Sequence, residues 1–166
     1  DAQGVVKRLP PLPGASRRSL TDCLVERRPH ILVWVGHGLD SGSGLLLHDG
    51  DSPAYPSDPG RVVAASDFAL TVRQGQVDVA LLWSCYGAGT FRPLDVGVAE
   101  ALLDPDRGDV AAVLASFAAL DAAAVSKLSK DLIAAWGQAG SDLEAALARA
   151  RAELDEGSLT WARPVR

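Results

Sequence analysis

The stretch at 30–38, HILVWVGHG, decides the reading of the fold. Residues 31–35 are apolar without a break, and Gly36, His37 and Gly38 end the run. An unbroken apolar run bounded by turn residues is the pattern of a strand buried on both faces, as in a parallel sheet. Two further runs share it: 77–84 (VDVALLWS), which ends at Cys85, and 109–116 (DVAAVLAS). Helical patterns separate them, one from Ser66 to about Val72 and one near 96–103. Strands alternating with helices predict an α/β sandwich, a mainly parallel central sheet flanked by helices. In such sheets chemistry collects at the carboxyl ends of strands, where His37 and Cys85 stand.

Outward from this centre the chain continues in the same style. Residues 4–9 read as an edge strand leading into the rigid loop Pro10, Pro11, Pro13, Gly14. Ser16 is placed to cap a helix over 17–27, with Leu20, Leu24 and Val25 on its buried face. The short run 44–48, followed by Asp49 and Gly50, reads as a hairpin arm, and 51–61 as a loop. After the third strand, Val125, Leu128, Leu132 and Trp136 fall at helical spacing and Gly140 ends their helix. Ser141 and Glu144 form a capping-box pattern for a last helix with the stripe Leu143, Leu147, Ala150 and Leu154. The tail 159–165 reads as an edge strand, where Pro164 is tolerated.

Composition bounds what this architecture does. The 166 residues suit one domain, and a chain of this length buries about 70% of its unfolded surface without a disulfide or metal staple. Sixteen basic against 21 acidic residues give a net charge of -5, which argues against electrostatic binding of nucleic acid. No apolar run reaches the roughly 18–20 residues of a membrane span, and the polar start does not resemble a signal peptide. Two cysteines, Cys23 and Cys85, are too few for a secreted disulfide framework, so the expectation is a reducing cytoplasm. The sequence has no methionine, which we read as a processed or truncated piece of a longer chain. No C-x-x-C, H-x3-H, EF-hand or phosphate-loop pattern is present, so neither a metal nor a cofactor is expected.

The chemistry-bearing pair is His37 and Cys85. A thiol attacks a carbonyl once a base takes its proton, and histidine suits that task near neutral pH. Consecutive parallel strands are usually neighbours, so their carboxyl ends put both residues on one rim. Gly38 permits a sharp turn and a close approach, and the N–H groups of Gly38 and Cys85 are candidates for an oxyanion hole. All three histidines, His30, His37 and His48, precede Cys85. That order excludes the α/β-hydrolase and papain layouts, whose histidine follows the nucleophile. Histidine first and cysteine 85 - 37 = 48 residues later matches the caspase layout, with about 50 residues between them.

With these motifs in order, Val35-Gly36-His37-Gly38, the arm at 45–50 and the run 79–87 ending Ser84-Cys85-Tyr86-Gly87, the sequence resembles the CHAT domain. The likeness runs on through Ala115-Ser116-Phe117, Asp121, 142–154 and 161–165, and spans about residues 4–165. That family belongs with the caspases, separases and metacaspases. The resemblance implies a caspase-like three-layer sandwich and a thiol protease. Cys85 is its nucleophile and His37 its general acid/base, cutting a protein partner after a selected P1 residue. It further implies a bacterial effector in anti-phage or stress defence, switched by a sensor or regulatory domain or subunit. It also implies a first strand and helix ahead of Gly4, which this sequence lacks.

Substrate-binding roles implied by the resemblance fall on Trp83, Ser116 and Asp121. The family has a small or polar residue two before its cysteine, and this chain departs from it with Trp83. An indole there favours an apolar or slim P1 side chain, whereas Asp121 favours a basic one by charge pairing. Trp83 is equally a core residue, and Asp121 equally an N-cap for the helix after it. His48 and Asp40 read as exposed polar residues, His30 as structural and Cys23 as inert. The competing function is a catalytically silent caspase-like module for signal relay or complex assembly.

Overall fold

The computed structural model describes residues 7–48, 60–88, 95–116, 122–137, 142–152 and 162–165. Their elements run α1 (Arg17–Arg27), β1 (Ile31–Val35), β2 (Gly44–Leu47), β3 (Arg61–Ala64), α2 (Ala65–Gln74), β4 (Val79–Trp83), α3 (Val98–Leu103), β5 (Ala112–Ser116), α4 (Ala122–Trp136), α5 (Leu143–Ala152) and β6 (Ala162–Val165). The fold is mixed α/β. One sheet has the order β1-β4-β5-β6, with β1, β4 and β5 parallel, and β2 and β3 form a separate antiparallel pair. The chain falls into two compact units. Residues 12–119 and 163–166 form one, and residues 1–11 and 120–162 form the other.

The larger unit holds the sheet and α1 to α3. One face of the sheet presents Leu32 and Trp34 from β1, Ala80 and Leu82 from β4, and Val113 and Ala115 from β5. These join Leu20 and Leu24 of α1, Phe68, Ala69 and Val72 of α2, and Val98 and Leu102 of α3 in one core. Trp34 meets Phe68 edge-on at 5.5 Å and 68°, a favoured aromatic geometry. The hairpin adds Leu45, Leu47 and Val63 to the same core. In the smaller unit α4 packs on α5, with Val125, Leu128, Leu132, Ala146, Leu147 and Ala150 buried.

Local sequence explains most boundaries. Ser16 caps α1 as expected: its Oγ accepts the Ser19 N–H while the Ser19 Oγ accepts the Ser16 N–H, a reciprocal capping box. The helix ends on Arg28, a left-handed residue at φ 42° whose N–H reaches the Leu24 carbonyl. At α5 the cap is Asp142, whose Oδ1 accepts the Ala145 N–H at 2.6 Å. Asp142 stands next to Leu143, where a side-chain acceptor reaches the third helical amide, while the expected cap Ser141 lies outside the described residues.

Several expectations need correcting. Residues 7–9 are not a strand, and the rest of the expected strand at 4–9 lies outside the described residues. Val25 is 44% exposed and not part of the α1 core face. β1 is not buried on both faces, because Val33 and Val35 are 42% and 71% exposed. The reason is position: β1 ends the strand order, and its second face is open although Leu81, Trp83 and Leu114 on that face of β4 and β5 are buried. The loop expected to reach residue 61 instead gives way to β3, which pairs with β2. α2 begins at Ala65, one residue before the expected Ser66, and its first N–H is taken by the Ser43 carbonyl at 2.9 Å rather than by a side-chain cap. Gly140, Ser141 and Leu154 lie outside the described residues.

Candidate active site

The parallel register fixes how His37 and Cys85 relate. Ile31 pairs with Val79 and Val35 with Trp83, a constant offset of 83 - 35 = 48 residues. The ladder continues one step, since the Gly36 N–H donates to the Trp83 carbonyl at 3.2 Å. His37 and Cys85 each follow the last pair by two residues, so their spacing of 85 - 37 is also 48. Adjacent strands are about 4.8 Å apart, so the two residues leave neighbouring strands side by side. His37 is exposed and Cys85 half-buried. Neither Cys85 nor Cys23 forms a disulfide.

Gly38 seals the contact between the two strand ends. A Cβ at this position would overlap the Cys85 carbonyl oxygen. Only glycine therefore lets the backbone after His37 lie against the backbone of Cys85. The hairpin holds Gly38 from the other side, through the Leu46 N–H on the His37 carbonyl at 2.9 Å and the Leu39 N–H on the Gly44 carbonyl at 3.1 Å. Since His37 and Leu39 spend these groups on β2, the Gly38–Leu45 pair is a non-hydrogen-bonded one and the Gly38 N–H faces away from β2.

The turn after β4 is held as firmly. The Ala88 N–H donates to the Ser116 carbonyl at 2.9 Å, and the Ala99 N–H to the Gly87 carbonyl at 3.0 Å. Tyr86, immediately after the thiol, sits at φ 56°. A left-handed non-glycine costs about 1–2 kcal/mol and persists only where its surroundings enforce it. Ser84, 1% exposed, has a buried Oγ without a hydrogen-bond partner among the described residues.

Of the specificity candidates, the register sets Trp83 level with Ser116, one step past the Leu82–Ala115 pair. Val35, Trp83 and Ser116 are thus the last residues of three neighbouring strands, with His37 and Cys85 each two residues further along the chain. Trp83 and Ser116 are 3% and 1% exposed, and the Trp83 Nε1 is buried without a partner among the described residues. Asp121 lies outside the described residues. Asp40 is exposed, as expected. His48, expected to be exposed, is half-buried, and its backbone N–H donates to the Ala15 carbonyl at 3.0 Å. His30 Nδ1 lies 2.6 Å from Asp78 Oδ2, an exposed pair joining the starts of β1 and β4.

Sequence reasoning missed the residues that pin the two loops, because they act through backbone N–H and carbonyl groups. The single side-chain signal was Glu100, whose Oε2 accepts the Gly97 N–H at 3.3 Å and so marks the start of α3. Among the described residues no group of three His, Cys, Asp or Glu side chains converges as a metal site. None of their helices is long and apolar enough to cross a membrane. Compared with protein-family models and with curated proteins, the chain matches none.

Proposed function

We propose that the chain is a caspase-like cysteine endopeptidase domain of CHAT type, with the three-layer sandwich that implies. One observation supports the reading: β1 and β4 are adjacent and parallel, His37 and Cys85 each stand two residues past the last pair Val35–Trp83, and Gly38 lies against the Cys85 backbone. His37 takes the Cys85 thiol proton as Sγ bonds to the scissile carbonyl carbon. The N–H groups of Gly38 and Cys85 hold the oxyanion. His37 then protonates the leaving amine as the C–N bond breaks, and water hydrolyses the thioester to free the acid and restore the thiol. Trp83, Ser116 and Asp121 are the candidates for the P1 wall, the first two buried in this structure and so reached only if the wall opens to substrate. The protein substrate is cleaved in the cytoplasm of a bacterium as part of an anti-phage or stress response, under a sensor or regulatory partner.

The test is labelling with a small thiol electrophile, read by mass spectrometry at each cysteine. Cys85 is expected to label faster than Cys23, and His37→Ala to remove the difference. A P1-scanned peptide library on the parent and on Cys85→Ala then reads peptide cleavage itself. Equal labelling of both cysteines in both proteins, with no peptide cut, would sink the peptidase and leave the silent relay module.

A further inference from the structure

The loop after His37 and the turn after Cys85 are tied to one short element. The Val98 N–H donates to the Gly42 carbonyl at 3.3 Å, and the next amide, Ala99, donates to the Gly87 carbonyl at 3.0 Å. Gly42 closes the turn that follows His37, with its own N–H on the Leu39 carbonyl at 2.8 Å and φ 73°. Gly87 stands two residues past Cys85. The first amides of a helix have no acceptor within it, so they are available to bond loops. Here two consecutive ones are spent on the two loops that bear the candidate dyad. The pair is rigidly placed: Val98, Ala99, Ala101 and Leu102 are all buried, and the Glu100 carboxylate closes the start of the helix through the Gly97 N–H.

We infer that Val98 and Ala99 are positioning residues that set the separation of His37 and Cys85 through their backbone N–H groups, with Glu100 holding them in place. The inference rests on the peptidase reading of the dyad. Neither residue touches the reacting atoms. Val98 fixes the far side of the histidine loop and Ala99 the far side of the cysteine turn, so a shift at α3 moves one loop against the other. Displacements of about 1 Å at a reacting pair cost up to about a hundredfold in rate.

Proline at 98 removes one of these bonds with little other change. Position 98 is the first helical residue, where proline is favoured, and Gly97 before it already has the extended backbone (φ -72°, ψ 158°) that proline requires. Val98→Ala keeps the N–H and loses buried packing, so it gives the baseline. The readout is the rate of Cys85 alkylation by iodoacetamide against pH, with Cys23 on the same molecule as reference. Val98→Pro is expected to label Cys85 about tenfold more slowly than Val98→Ala, with a pH profile that takes the shape of the His37→Ala profile and Cys23 unchanged. If His37→Ala slows Cys85 while Val98→Pro and Val98→Ala coincide, the positioning role is overturned and the dyad stands. If His37→Ala labels like the parent, the dyad reading itself fails, and the positioning role with it. Should Val98→Pro not fold, Glu100→Ala and Glu100→Gln decide, since Glu100 is exposed. Alanine is expected to slow Cys85 about threefold and glutamine to recover most of the loss; no effect of either change would overturn the inference.

Discussion

At the scale of the residue, the informative positions are those where a single atom has no room or no partner. Gly38→Ala puts a methyl group into the Cys85 carbonyl oxygen. It is expected to slow electrophile labelling of Cys85 by about tenfold or more, leaving Cys23 unaffected. Ser84 is the opposite case. Its Oγ is buried and unpartnered among the described residues, and a Cβ on Gly87 would come within 2.8 Å of it. An orphaned buried hydroxyl carries a desolvation cost of about 1–3 kcal/mol. Ser84→Ala is therefore expected to be neutral or to stabilise by about 1 kcal/mol in urea unfolding. A loss of stability would show that the hydroxyl has a partner in solution.

At the scale of the element, end chemistry rather than propensity sets the boundaries. Asp142 satisfies an amide of α5 that the helix itself leaves open. Asp142→Ala is expected to lower stability by about 1 kcal/mol, and Asp142→Asn to retain most of it. Arg28 ends α1 in the left-handed region without the glycine that position favours. Arg28→Gly removes a steric cost of about 1–2 kcal/mol and adds chain entropy to the unfolded state. A net gain of about 0.5 kcal/mol is expected, readable as a raised midpoint in thermal unfolding monitored by circular dichroism.

At the scale of the whole molecule, the core of the larger unit depends on one aromatic contact between layers. Phe68 is fully buried on α2 and meets Trp34 on β1. Phe68→Ala is expected to cost about 3–5 kcal/mol. Domains have only about 5–15 kcal/mol to lose, so the variant should melt at a much lower temperature. The sheet is asymmetric in its covering. β1 leaves Val33 and Val35 open, whereas Leu81, Trp83 and Leu114 on the same face are closed.

The parallel strands and the placing of His37 and Cys85 just past two of them were legible in the sequence because both rest on patterns that survive without tertiary context. Unbroken apolar runs mark strands of a parallel sheet, and a run that ends in His37 or Cys85 sets that side chain at a carboxyl end. The 48-residue spacing between the two equals the register offset of β1 against β4, which only the pairing of the strands reveals. Burial was not legible at β1, since ILVWV reads the same whether its second face is covered or open. β3 was hidden because Arg61–Ala64 gains strand character only by pairing with Gly44–Leu47. The grip of Val98 and Ala99 on Gly42 and Gly87 left no mark in the sequence either. Backbone N–H and carbonyl groups are the same at every residue but proline, so only the tertiary structure decides which of them meet.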